Sequence, residues 1–475
     1  MFPLSAFIAS SIYLAQVHAF TSSNYDNVAV YWGQNSYGAA NPTGTAGFQQ
    51  PISYYCQDDA IDAIPVAFVN TFFGTGGLPS MNLANTCNPT DNATFPGTGL
   101  ANCSALASDI EYCQAQGKIV TISLGGAGGS VGFTDDTEAQ TFAQTIWDLY
   151  LGGTSTTRPF GAAVLDGVDL DIENGGSTGY AAFVTEIRSL SSGASKPYYI
   201  TAAPQCPFPD QNLGSVIDQV GFDAIYVQFY NNVCGLQNYN VVADWDFGTW
   251  DMWASQVSPN PDVKIYVGAP ASSTAAGTGY QSISNLSTIA TTMRKSFPSF
   301  GGVMLWDASQ AYDNDRYDLG IKNALVAAGA TGFTYPACTA PAYVSGSDYT
   351  GGSQVSYNGY MWQADYWTNA TPSNSSSGDW SAISVCTGTS TATPTSTSSA
   401  ASTSATSSTA CSGIAAWSSS AVYTAGDEVS YNGNIYTANY WTESNIPSGT
   451  SGSWTEVSSC TTTTAARMMS RFFRF

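Results

Sequence analysis

The segment Asp166-Gly-Val-Asp169-Leu-Asp171-Ile-Glu173 places four carboxylates within eight residues of otherwise apolar, strand-forming sequence. Side chains alternate faces along a β-strand, so Asp169, Asp171 and Glu173 point one way and Val168, Leu170 and Ile172 the other. Carboxylates that share one wall raise one another's pKa, and a carboxyl that keeps its proton near neutral pH is a general acid. A solvated acidic edge strand or a calcium-binding loop would carry the same residues, but the apolar alternate positions demand burial of the opposite face. Asp166 falls off the acidic face by parity and takes a structural role.

The rest of the composition narrows the chemistry. His18 is the only histidine in the chain, and it lies in Met1–Ala19, a short apolar segment that ends in small residues and reads as a secretory signal peptide. Once that leader is removed no imidazole remains, which excludes Ser-His-Asp and Cys-His catalysis and metal sites built on histidine. Carboxylates, tyrosine and the substrate itself must then move the protons, and no cofactor or metal is expected. Lys and Arg total 12 against 34 Asp and Glu, a net charge of −22. That balance argues against nucleic acid and anionic membrane surfaces as partners and leaves neutral polymers open. The 10 cysteines suit disulfides in an exported protein, as do the glycosylation sequons at Asn92, Asn102, Asn285, Asn369 and Asn374.

Elements able to position the acids recur at regular intervals. Apolar runs at Val28–Tyr31, Ile64–Val69, Ile119–Leu124, Val164–Ile172, Tyr198–Ala203, Ala224–Tyr230, Val263–Gly268 and Gly302–Trp306 alternate with helix-like segments such as Glu138–Leu151 and Gly179–Leu190. This pattern predicts an α/β fold, a closed (β/α)8 TIM barrel over residues 24–333, with an open doubly wound sheet as the alternative. Reactive groups in such barrels sit at the C-terminal ends of strands, where the acidic segment, Tyr230 and Trp306 all fall. The glycines of Ser123-Leu-Gly-Gly126 and Gly128-Gly129 permit close backbone approach; without a Gly-Lys-Ser/Thr ending they are not a phosphate loop.

Beyond the barrel the sequence repeats at an offset of 74 residues: Val355-Ser-Tyr-Asn-Gly359 matches Val429-Ser-Tyr-Asn-Gly433, Tyr366-Trp367-Thr368 matches Tyr440-Trp441-Thr442, and Trp380 matches Trp454. Two small β-rich modules are expected, 338–386 and 411–460, each closed by its terminal cysteines as Cys338–Cys386 and Cys411–Cys460. A Ser/Thr-rich linker, 387–410, separates them. Tyr366, Trp367, Tyr440 and Trp441 are candidates for exposed rings that stack on sugars, and two modules would raise avidity for an insoluble polymer. The basic tail 461–475 has no physical account.

Ala29-Val-Tyr31-Trp-Gly-Gln-Asn35, Ser123-Leu-Gly-Gly126, Asp166–Glu173, Ala203-Pro-Gln-Cys-Pro-Phe-Pro-Asp210 and Val227-Gln-Phe-Tyr-Asn-Asn232 resemble, in this order, the fungal form of the class III (plant-type) chitinases of glycoside hydrolase family 18. The repeats are similar to small chitin- and cellulose-binding modules. The first resemblance implies that Glu173 protonates the glycosidic oxygen and that Asp171 orients the substrate's N-acetyl group, with Asp169 sharing a proton with Asp171. Tyr230 would hydrogen-bond the acetamido carbonyl, and Tyr31, Gln228 and Trp306 would line that subsite. It also implies the pairs Cys56–Cys113, Cys87–Cys103 and Cys206–Cys234. The expectation is a secreted, monomeric chitinase of the extracellular space or cell wall, retaining and substrate-assisted. Non-catalytic chitin lectin and structural wall protein are the alternatives.

Overall fold

The structure, a computed structural model, describes residues 20–373, 378–388, 414–418, 421–423, 427–438, 442–443, 446–447 and 454–459. The expected leader, most of the linker, the tail, Tyr440, Trp441 and the Cys411–Cys460 pair lie outside the described residues. The chain divides into two compact units, Met1–Pro394 and Thr395–Phe475.

In the first unit the apolar runs become strands β1 (Asn27–Val30), β2 (Ala63–Thr71), β3 (Ile119–Gly125), β4 (Gly167–Asp171), β5 (Tyr199–Ala202), β6 (Ala224–Gln228), β7 (Lys264–Pro270) and β8 (Phe300–Trp306). Each pairs in parallel with its sequence neighbours. β1 then pairs with both β8 and β2, which closes the barrel and excludes the open sheet. A short strand, Ser80–Met81, runs antiparallel on the end of β2. Closure sorts the alternating residues: Val28, Val30, Ile122, Leu124, Val168 and Leu170 pack outward against the helices, while Ala29, Tyr31, Ala67, Tyr226, Tyr266 and Met304 fill the lumen. Tyr226 and Tyr266, register partners on β6 and β7, meet edge-to-face at 4.9 Å and plug it.

The helices cover the outside. Asp136–Tyr150 begins two residues before the hydrophobic periodicity does, because the Asp135 carboxylate accepts the Glu138 N–H at 2.9 Å and so caps the first turn. Tyr180–Ser191 follows β4, Phe247–Gln256 follows β6 and Ile283–Ser296 follows β7. Disulfides Cys56–Cys113, Cys87–Cys103, Cys206–Cys234 and Cys338–Cys386 are formed.

The first repeat is a three-stranded antiparallel sheet of Gln354–Tyr357, Tyr360–Ala364 and Trp380–Val385. Asn358 and Gly359, at φ 48° and 80°, supply the left-handed turn its hairpin requires. It does not hang free of the barrel. Trp362, Trp380 and Val385 belong to the same buried cluster as the barrel's helices, and the Tyr360 hydroxyl donates to Asp251 on helix Phe247–Gln256 at 2.9 Å. In the second unit, strands Glu428–Tyr431, Asn434–Ala438 and Trp454–Ser459 repeat the same pairing.

Candidate active site

The floor of the site is set by strand register. Ser123 on β3 and Thr201 on β5 are the Cα partners of Asp169 on β4, and register partners in a parallel sheet face the same side. Both hydroxyls therefore reach the Asp169 carboxylate: Ser123 Oγ donates at 2.6 Å and Thr201 Oγ1 at 2.6 Å. Tyr31 Oη, arriving from β1, donates at 2.7 Å. Asp169 is wholly buried; burial pushes its pKa up, and these three hydroxyls oppose the rise.

One alternation higher, Asp171 ends β4. The Gln228 amide nitrogen on β6 donates to its Oδ1 at 2.9 Å and to the Ala203 carbonyl at 2.9 Å. That orientation is fixed from behind, where Gln205 Nε2 donates to Gln228 Oε1 at 3.3 Å and Asn232 Nδ2 donates to Gln205 Oε1 at 2.6 Å. Gly125 must be glycine: at φ +119° a Cβ would lie 2.1 Å from the Asp171 carbonyl oxygen. Gly126 donates its N–H to the same oxygen at 2.8 Å.

Glu173 lies two residues past the end of β4, half-buried, and with Asp171, Gln228 and Tyr230 it lines a cleft of about 350 Å³ at the barrel mouth. Burial raises the Glu173 pKa, with the nearby Gln228 amide opposing and the Asp210 charge adding. Asp171 is held well above the carboxylate range, first by burial and then by the charges of Glu173 and Asp169. The pair cannot readily carry two negative charges, so it retains a proton into pH ranges where free carboxyls have none. Tyr230 is buried, and its pKa is pushed further up by that burial and by both carboxylates, which keeps it a neutral hydroxyl donor.

The opposite wall is aromatic. Trp306 at the end of β8 stacks on Phe68 at 5.9 Å with planes 15° apart, and Tyr31 lies 5.6 Å from Trp306. Such faces suit the C–H surface of a sugar ring. Tyr31, Asp169, Asp171, Glu173, Gln228, Tyr230 and Trp306 thus converge as the sequence places them. Asp166 faces away and binds Lys196 at 2.8 Å and the Val120 N–H at 2.8 Å. Tyr366 and Trp367 sit on the first repeat, 49% and 59% exposed. Among the described residues no three His, Cys, Asp or Glu side chains are grouped to hold a metal ion.

Phe68, Thr201 and Gln205 are site residues that sequence reasoning passed over. Strict alternation sends Phe68 outward beside the inward Ala67; the pairing of β2 with β3 skips a residue between Ala67 and Val69, and that bulge re-aims the ring into the cleft. Thr201 was accessible only through its register with Asp169.

Fold and site together define a (β/α)8 barrel with carboxyl groups gathered at its mouth. Residues 27–297 match Glycosyl hydrolases family 18, and residues 416–455 match carbohydrate-binding module family 5/12. "Chitinase 1" of Rhizopus niveus is 50% identical over 314 residues, covering 66% of this chain and 59% of that protein. "Endochitinase" of Saccharomyces cerevisiae is 43% identical over 328 residues, 68% of this chain and 54% of that one. The solved structure of a chitinase from Ipomoea carnea, 31% identical with a TM-score of 0.52, covers 63% of this chain and 99% of its own. The chain belongs to glycosyl hydrolase family 18. It spans 59% and 54% of the lengths of the two fungal relatives.

Proposed function

We propose that the chain is a chitinase, cleaving β-1,4-linked N-acetylglucosamine polymer with retention of configuration, and that the substrate's own N-acetyl group is the nucleophile. The observation that carries this reading is the placement of Glu173 in the cleft beside a second acid, Asp171, that is buried and restrained by Gln228. Glu173, kept protonated by burial, gives its proton to the glycosidic oxygen as the C1–O bond breaks. The acetamido oxygen closes on C1 to form an oxazolinium ion. Asp171 takes up the charge developing on the acetamido nitrogen, and Tyr230 donates to the acetamido oxygen and positions it. Water, deprotonated by the now ionised Glu173, reopens the ring. One strand supplying every acid accords with substrate assistance rather than with a pair of carboxyls flanking the bond. Asp169, held by three hydroxyl donors, shares a proton with Asp171, so that Asp171 can carry negative charge when the acetamido nitrogen becomes positive.

The relatives named chitinase and endochitinase supply the substrate class. Action outside the cell is part of the proposal, supported by four disulfides and by exposed sequon asparagines at Asn92, Asn102, Asn285 and Asn369, and so is action as a monomer. General acid–base catalysis contributes about 10²–10⁴-fold, so Glu173→Gln should cut turnover of chitin oligosaccharides by at least that range while binding persists. Retained turnover in that variant, or an inverted anomer in the first product seen by NMR, sinks the reading; binding with no turnover in the unmodified chain favours the lectin.

A further inference from the structure

We propose that the first repeat is a fixed extension of the substrate cleft, with Tyr366 and Trp367 forming an aromatic platform at the barrel rim for the same N-acetylglucosamine chain that enters the site. The inference rests on the chitinase reading for the identity of that chain.

Direction along the barrel comes from the βα unit. Helix Phe247–Gln256 follows β6, so its first turn lies at the rim where the strands end and its last turn at the opposite face. Contacts with the repeat follow the helix in order. Ser255 in its last turn and Asp251 at its middle meet the Tyr360 hydroxyl at 3.3 and 2.9 Å. In its first turn, Gly248 faces strand Trp380–Val385 so closely that a Cβ would lie 2.1 Å from the Ala382 carbonyl oxygen. Ala382 is the register partner of Trp362 and Trp380 that of Ala364, so the end of strand Tyr360–Ala364 runs on past Gly248 toward the rim. Strand Tyr360–Ala364 therefore climbs from the far face to the rim and delivers Asp365-Tyr366-Trp367 there. A five-residue strand at ~3.3 Å per residue and nine helical residues at ~1.5 Å each cover similar distances, so the climb is complete.

One loop joins cleft to platform. Tyr230 and Asn231, at its start, line the cleft; Cys234 is tied to Cys206; Trp245, at its end, packs on Phe229 at 4.6 Å. The platform is thus held relative to the reacting sugar by a packed, cross-linked segment. Rings 49% and 59% exposed, on a module whose other aromatics are buried or half-buried, suit a flat, repeating sugar surface.

The test uses the full chain carrying Glu173→Gln, so that ligand survives, with short N-acetylglucosamine oligomers that fill only the cleft and with long oligomers that reach past the rim. Trp367→Ala should reduce affinity for long oligomers by about tenfold relative to short ones. Gly248→Ala favours the helix but forces the repeat off it; with Trp367 present and still tethered, it should cause the same selective loss, and with Glu173 restored it should leave turnover of short oligomers unchanged. Ala382→Glu repeats the test from the module side. Full long-chain affinity in the Gly248 and Ala382 variants would mean that the repeat acts as a tethered binder and would overturn the inference alone. Equal losses for short and long oligomers would overturn it too, as a merely structural effect. Binding of neither ligand by the parent Glu173→Gln chain would overturn both this inference and the chitinase reading.

Discussion

The two repeats have the same core and opposite outer faces. In each, a tyrosine packs on the repeated tryptophan at the same angle: Tyr349 on Trp380 at 5.2 Å and 68°, Tyr423 on Trp454 at 5.1 Å and 68°. In each, that tyrosine's hydroxyl accepts a backbone N–H five residues back, from Val344 at 2.8 Å and from Ser418 at 2.7 Å. The hairpin register is identical, Val355 opposite Trp362 and Val429 opposite Tyr436. The outer face differs. Where the first copy has Tyr360, Ala382 and Val385, the second has Asn434, Glu456 and Ser459. Half of Trp380–Val385 is buried, whereas every residue of Trp454–Ser459 after the tryptophan is exposed. A handful of surface substitutions on one scaffold thus separates a module that packs onto the (β/α)8 barrel from one with a polar face. Fold is set by the shared core, and docking by the few side chains around it.

Exchanging those side chains tests the contrast. The largest effect is expected from Ala382→Glu, which gives the first copy the second copy's Glu456: a carboxylate pressed against helix Phe247–Gln256 with no cation to pair should cost on the order of 3 kcal/mol. Denaturant unfolding should then show the repeat melting apart from the barrel. Tyr360→Asn, after Asn434, removes the hydroxyl donor to the buried Asp251 and leaves a carboxylate oxygen short of a partner. A loss of about 1.5–3 kcal/mol is expected in the same measurement.

The smallest difference is one of pH. Asp365 is pushed up to about 6 from an ordinary 3.8, first by burial and then, against the Ser381 hydroxyl, by the charges of Asp379 and Asp244. Between those two values the folded state binds more protons than the unfolded one, so stability falls as pH rises from about 4 to about 6 and is level above that. Asp365 is only partly buried, so screening keeps the effect small. The second copy's sequence has Asn439 there. Asp365→Asn should flatten this part of the stability profile, and an unchanged slope would remove Asp365 as its source.

Much of the barrel was legible because its strands are buried on both faces and so stand out as apolar runs. The acidic segment was legible for the converse reason, four charges inside one such run. The ends were not: β4 stops at Asp171 and β6 at Gln228, so Glu173 and Tyr230 stand on the connections beyond, where periodicity carries no information. Phe68 was hidden by a bulge, and Thr201 and Gln205 by the fact that register and amide relays join residues distant in sequence. The packing of the first repeat onto the barrel was likewise beyond a reading by motif, since Tyr360 and Ala382 are ordinary strand residues until the helix they meet is known.

The tyrosine plug has a consequence for traffic. Tyr226 and Tyr266 are buried side by side in the lumen, so the barrel axis is a blind end rather than a passage. Anything bound in the cleft must enter and leave by the mouth. On the proposed reading, substrate, water and released fragment would all share a single doorway, and whatever lines it would govern arrival and departure alike.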